Sequence, residues 1–221
     1  MSPYFEEFLV EFPRHGDAMG LTLGSLCCPI ELSKYREELP ATLLEFWTEV
    51  GWSGYANGLM WSTNPDQFTP ILDAWLGSLN FFKQDSYNVV ARGAFGKLYL
   101  WGKSTGSSII IDPLISMITT VEPRLDPSKS DTAITSFFLS KEKKNFDFED
   151  HKEKPLFARA LKKLGPLKVD EMYGFEPALS IGGVPKLENL VKVKMIEHLV
   201  LLSQLGQIEV THLDISRHVG S

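Results

Sequence analysis

Tyr87-Asn-Val-Val-Ala-Arg92, Lys97-Leu-Tyr-Leu-Trp101 and Ser107-Ser-Ile-Ile-Ile-Asp112 decide the fold. Each run is short, dense in aromatic or β-branched residues, and bounded by glycines that permit tight reversals. Runs of that kind, joined by short glycine connections, predict consecutive antiparallel strands of a meander. Met117 to Val121 predicts one strand more.

Upstream of this meander the apolar period is that of helices. Phe5, Phe8, Leu9 and Phe12 form an i, i+3, i+4, i+7 stripe that stops at Pro13. A second helix is expected from Pro40 to Val50, burying Leu43, Leu44, Phe46, Trp47 and Val50 and closing at Gly51. A third runs from Thr69-Pro70 through Ile71, Leu72, Trp75 and Leu76 to Gly77. Helices followed by strands, without β-α-β alternation, predict an α+β fold in which helices pack on an antiparallel sheet.

Downstream, Val121 to Asp131 is polar, holds Pro123 and Pro127, and marks a junction. The expected organisation is a first domain over 1–121, a linker over 122–131, and a mainly helical second domain over 132–206. Its helices are expected at Thr132–Ser140, Lys154–Leu164 and Met195–Leu205. Residues 173–185 are too rich in Gly and Pro to assign, and 207–221 reads as a tail with little pattern.

Composition narrows the function. The chain has 221 residues and a formal net charge of −6. Residues 1–115 hold seven Lys and Arg against thirteen Asp and Glu, whereas 116–221 hold fifteen of each. The negative excess therefore lies in the first half. A surface of that sign repels phosphate backbones and attracts basic proteins, which disfavours direct nucleic-acid binding. The start of the chain carries Glu6 and Glu7 where a signal peptide would be basic, and no apolar run reaches membrane-spanning length, so a cytoplasmic protein is expected. The adjacent Cys27 and Cys28 read as reduced, buried thiols.

Motifs that carry chemistry fail on inspection. Gly96 to Ser104 ends in Gly-Lys-Ser, but Lys97 stands where a phosphate loop needs its first glycine, and the intervening residues are bulky and strand-like. None of the five histidines has an i, i+4 partner, so no metal site is expected. No strained serine elbow is present, and no catalytic residue, cofactor or metal is assigned. An enzyme with a dispersed active site and a general interaction scaffold stay open as alternatives to a dedicated binding protein. Binding features are more visible. Gly51 to Trp61 places Trp52, Tyr55 and Trp61 in a glycine-rich connection, and loop aromatics make good interface anchors.

Two stretches together resemble a bacterial family. Leu39-Pro-Ala-Thr-Leu-Leu-Glu-Phe-Trp-Thr-Glu-Val-Gly51, with the Gly/Trp/Tyr loop and Ala91-Arg-Gly-Ala-Phe-Gly-Lys-Leu-Tyr-Leu-Trp101, resembles the GAD-like domain. The string from Leu161-Lys-Lys-Leu-Gly-Pro to Ser180-Ile-Gly-Gly183, with His198 to Leu205, is similar to the domain that accompanies it at the C-terminal side. That pairing is the layout of immunity proteins that protect type VI secretion bacteria from a DNase toxin. The resemblance implies a non-catalytic inhibitor whose partner is a nuclease. A nuclease must offer a cationic groove to DNA, and an acidic surface can occupy it. The toxin contacts expected on this basis are Glu37, Glu38, Glu49, Asp66 and Asp85, with Trp52 and Tyr55 as anchors. Gly174, Phe175, Pro177, Gly182 and Gly183 are expected to set turns and packing in the second domain.

Overall fold

Phe5, Phe8 and Phe12 need a shared apolar surface, and the chain provides it by folding its first helix onto two others. The computed structural model describes residues 3–15, 29–121 and 125–213. Cys27 and Cys28 lie outside the described residues. Helix α1 (Pro3–Glu11) is followed by the short strand β1 (Arg14–His15) and helix α2 (Pro29–Ser33). Helix α3 (Ala41–Val50) starts after Pro40, whose lack of an N–H costs nothing at a helix start, and closes where Gly51 N–H donates to the Trp47 carbonyl. Strands β2 (Gly54–Tyr55) and β3 (Met60–Ser62) lead to helix α4 (Thr69–Leu76).

The expected meander follows as β4 (Tyr87–Gly93), β5 (Leu98–Gly102), β6 (Gly106–Asp112) and β7 (Met117–Val121). Every residue of β5 is buried, so both of its faces are covered. That explains why it reads as an unbroken apolar run rather than an alternating one. The second half contributes helix α5 (Ser130–Leu139), helix α6 (Phe157–Leu164), strands β8 (Glu171–Phe175) and β9 (Leu190–Lys194), helix α7 (Met195–Leu205) and strand β10 (Glu209–Leu213).

The sheet has eight strands in the order β1-β2-β3-β4-β5-β6-β7-β10. All neighbours are antiparallel except the last pair, where β10 runs parallel to β7 with Glu209 opposite Met117 and Leu213 opposite Val121. The fold is thus α+β with a mostly antiparallel sheet. Strands β8 and β9 form a separate antiparallel pair.

Two expectations change here. The stretch read as a patternless tail contains β10, held by backbone pairing to a strand about ninety residues earlier in the chain. The unassigned Gly- and Pro-rich stretch begins inside β8, since Tyr173, Gly174 and Phe175 pair with Lys192, Val191 and Leu190.

An aromatic cluster fixes the helical layer. Phe5 stacks on Phe46 with ring centres 4.1 Å apart, and Phe138 of α5 packs on Phe5 at 5.6 Å and on Phe8 at 5.4 Å. Burying each such ring stabilises the fold by about 1.5–3 kcal/mol. Phe137 turns the other way, onto Tyr99 of β5 at 5.7 Å. Helices α1, α3 and α5 therefore share one layer against the sheet.

Candidate functional site

The seven expected contact residues do not form one exposed face. Tyr55 is fully buried, its ring 5.5 Å from Phe8 and 6.3 Å from Phe46. It is a core residue, because β2 tucks it beneath α1 and α3, and it cannot anchor a partner. Trp52 is half-buried, with its ring edge-on to that of Trp47 at 6.0 Å. Trp61, also in this loop, is buried beneath the Arg92 guanidinium at 4.7 Å.

The acids divide in the same way. Asp85 accepts hydrogen bonds from the N–H groups of Ser104 (3.0 Å) and Thr105 (2.9 Å) and from the Thr105 hydroxyl (2.8 Å). Its lone pairs hold the turn between β5 and β6. Asp66 pairs with Lys34 and accepts from the Tyr35 hydroxyl at 2.6 Å. The Lys34 bond, then that of Tyr35, holds its carboxyl below the usual range. Both carboxylates are engaged within the molecule, Asp66 while still exposed to solvent. Glu38 is half-buried and accepts from the Asn88 amide at 2.9 Å. Glu37 and Glu49 are exposed, one in the turn before α3 and the other in its last turn.

Further acids, all but Glu49 outside that set, lie on the three helices of one layer. Helices α1, α3 and α5 carry Glu6, Glu7, Glu11, Glu45, Glu49 and Asp131 and contain no Lys or Arg. Glu6, Glu7 and Glu45 are exposed, and among the described residues no base lies within ion-pair distance of them. Glu11 reaches Lys143 at 3.2 Å. The signal was available in the sequence, because these acids fall opposite the apolar stripes of amphipathic helices.

The interior holds two titratable groups of note. Arg92 is buried, and desolvation lowers its pKa to about 9, partly offset by the charge of Asp170. It donates to the Val169 carbonyl at 2.9 Å. His198 has a buried Nε2 without a hydrogen-bond partner among the described residues, and burial lowers its pKa against the opposing effect of Glu176. Among the described residues no three His, Cys, Asp or Glu side chains are grouped to hold a metal ion. The Gly96–Ser104 stretch is β5 with the turn that Asp85 holds, not a loop opening a helix. No helix is long and apolar enough to cross a membrane among the described residues.

Residues 4–115, half of the chain, match the model of the GAD-like domain. The chain belongs to the GAD-like domain family. Residues 131–206 match a second family, described as T6SS immunity protein Tdi1, C-terminal. The two matches together support a type VI secretion immunity protein. The chain is similar to the crystal structure of Atu4351 from Agrobacterium tumefaciens, with a TM-score of 0.81 and 23% identity, covering 96% of this chain and 93% of that one. At that identity the likeness establishes the fold. The comparison with curated proteins returns no match.

The GAD-like region and the Tdi1-type region are bonded along their length. Trp75 Nε1 donates to the Leu199 carbonyl at 2.9 Å, the Tyr99 hydroxyl to the Asn145 carbonyl at 2.6 Å, and Tyr173 N–H to the Ala94 carbonyl at 2.9 Å. Gly96, at φ +83°, leaves just enough room for Met172 and Leu199 against the GAD-like sheet. Within the Tdi1-type region, a Cβ on Gly174 would sit 2.8 Å from His198 Nε2, and one on Gly183 only 2.0 Å from the Pro177 carbonyl oxygen. Phe175 is buried 5.7 Å from Phe148, and Gly182 turns the chain at φ +93°. These positions lie in turns and packing contacts of the region.

Proposed function

We propose that this protein is the cytoplasmic immunity partner of a type VI secretion DNase and neutralises it by covering its DNA-binding surface, without chemistry of its own. The observation that carries the reading is the joining of a GAD-like region to a Tdi1-type immunity region in one chain. The charge distribution supports the mode of inhibition. A nuclease groove is cationic, and the GAD-like region holds the whole negative excess of the chain. Of the contacts first expected, Glu37, Glu49 and Trp52 remain in the proposed surface, one acid at each end of α3 and the indole just beyond it. Glu45 joins them from the outer face of α3.

The test is a DNA-degradation assay with the product of the gene adjacent to this chain's own. Stoichiometric addition of the protein should abolish cleavage. Replacing Glu37, Glu45 and Glu49 together by Lys should slow association by about tenfold or more at low salt and much less at high salt. Undiminished cleavage in the presence of excess wild-type protein would exclude the immunity role.

A further inference from the structure

Helix α1 exposes two apolar side chains outside its core stripe, Val10 opposite it and Tyr4 on its flank. Val10 is 84% exposed and Tyr4 is 56% exposed, although Phe5 and Phe8 of the same helix are sealed inside. Leu139 is also exposed, next to Phe138, which packs on Phe5 and Phe8. An isolated valine on a surface is unremarkable, but this one lies one turn from Glu6 and Glu7, on a helix without a basic residue. The helices packed beside it, α3 and α5, also lack bases.

We infer that the exposed surface of α1 is a docking surface for a basic protein, with Val10 and Tyr4 as apolar anchors on either side of Glu7 and with Glu6 beside Val10. The inference rests on the immunity reading and names where the toxin is gripped. Charge selects the occupant. A second copy of this chain would bring like-charged helices together, at a cost that exposed apolar contacts of this size do not offset, whereas a cationic partner gains from both. The two kinds of side chain divide the labour: the acids speed encounter, and the apolar anchors slow release.

The experiment uses the full chain and a catalytically inactivated form of the nuclease that the DNA-degradation assay identifies, followed by surface-based kinetics. Val10→Asp and Tyr4→Ser both lie on exposed positions, and circular dichroism and thermal melting check that each variant folds. Val10→Asp keeps the acidic field and removes the anchor, so it should raise the dissociation rate by about tenfold or more while leaving the association rate within about twofold. Tyr4→Ser should act in the same direction. If the wild-type chain binds and both variants bind equally well, the α1 surface is wrong and the immunity reading stands. If the wild-type chain does not bind, the immunity reading fails and this inference with it. Dimerisation of the wild-type chain that Val10→Asp abolishes would assign the face to a second copy and overturn the proposal.

Discussion

Replacing Gly96 by alanine should destabilise the protein through two separable effects. Gly96 has φ +83°, where a Cβ meets the backbone, and that strain costs about 1–2 kcal/mol. The added Cβ would also sit 2.6 Å from Met172 Cε and 3.0 Å from Leu199 Cδ2, both from the Tdi1-type region. Overpacking of this kind costs about 1–3 kcal/mol, so the sum is about 2–5 kcal/mol. Gly182 supplies the control. It is left-handed at φ +93° and ψ 10° but nothing lies within 4 Å of its Cβ position, so Gly182→Ala should cost the strain alone. Urea unfolding followed by tryptophan fluorescence measures both, with unchanged slopes confirming that stability alone has moved. Met172→Ala in the Gly96→Ala background should recover the packing part, giving a coupling of about 1–3 kcal/mol. If Gly96→Ala and Gly182→Ala agree within about 0.5 kcal/mol, the packing of Met172 and Leu199 against Gly96 does not contribute as described.

Further outcomes are expected. Asp85→Ala should cost roughly 1.5–3 kcal/mol, because it frees the N–H groups of Ser104 and Thr105 that its carboxylate now accepts, and thermal melting should show it. His198 has its pKa lowered in the fold, so the unfolded chain takes up the proton first as pH drops below the ordinary imidazole value of 6.5. Stability should therefore decline from about that pH down through the lowered folded value and level off below it. In His198→Leu this part of the pH profile should be flat; an unaltered profile would show that the imidazole is not its source. Trp75→Phe should cost about 1 kcal/mol by removing the bond to the Leu199 carbonyl, and hydrogen exchange should report faster opening of α7.

The elements most visible in the sequence are those whose stabilisation is local. The meander strands announce themselves through Val89-Val90, Leu98 to Trp101 and Ile109 to Ile111, because glycines mark their ends and both faces are covered. Helix α7 keeps the bounds expected of it, since Gly206 stops an apolar run. Strand β10 was less visible. Ile208 and Val210 do alternate with polar residues, but no second apolar run lies a turn away to pair with them, and the partner that orders them is β7. The surface was harder still. Whether Tyr55 faces water depends on Phe8 and Phe46, and whether Asp85 is open depends on a turn about twenty residues ahead. Side-chain type signals a contact-forming residue in each case, and only tertiary structure decides whether the contact is internal.

The claim that this chain and DNA compete for one cationic surface is tested most directly by anisotropy of a labelled duplex bound to the inactivated nuclease. Titrating in the protein should return the anisotropy to that of free DNA, with an apparent affinity that weakens as salt is raised. A stable ternary complex, with the duplex still bound at saturating protein, would contradict it.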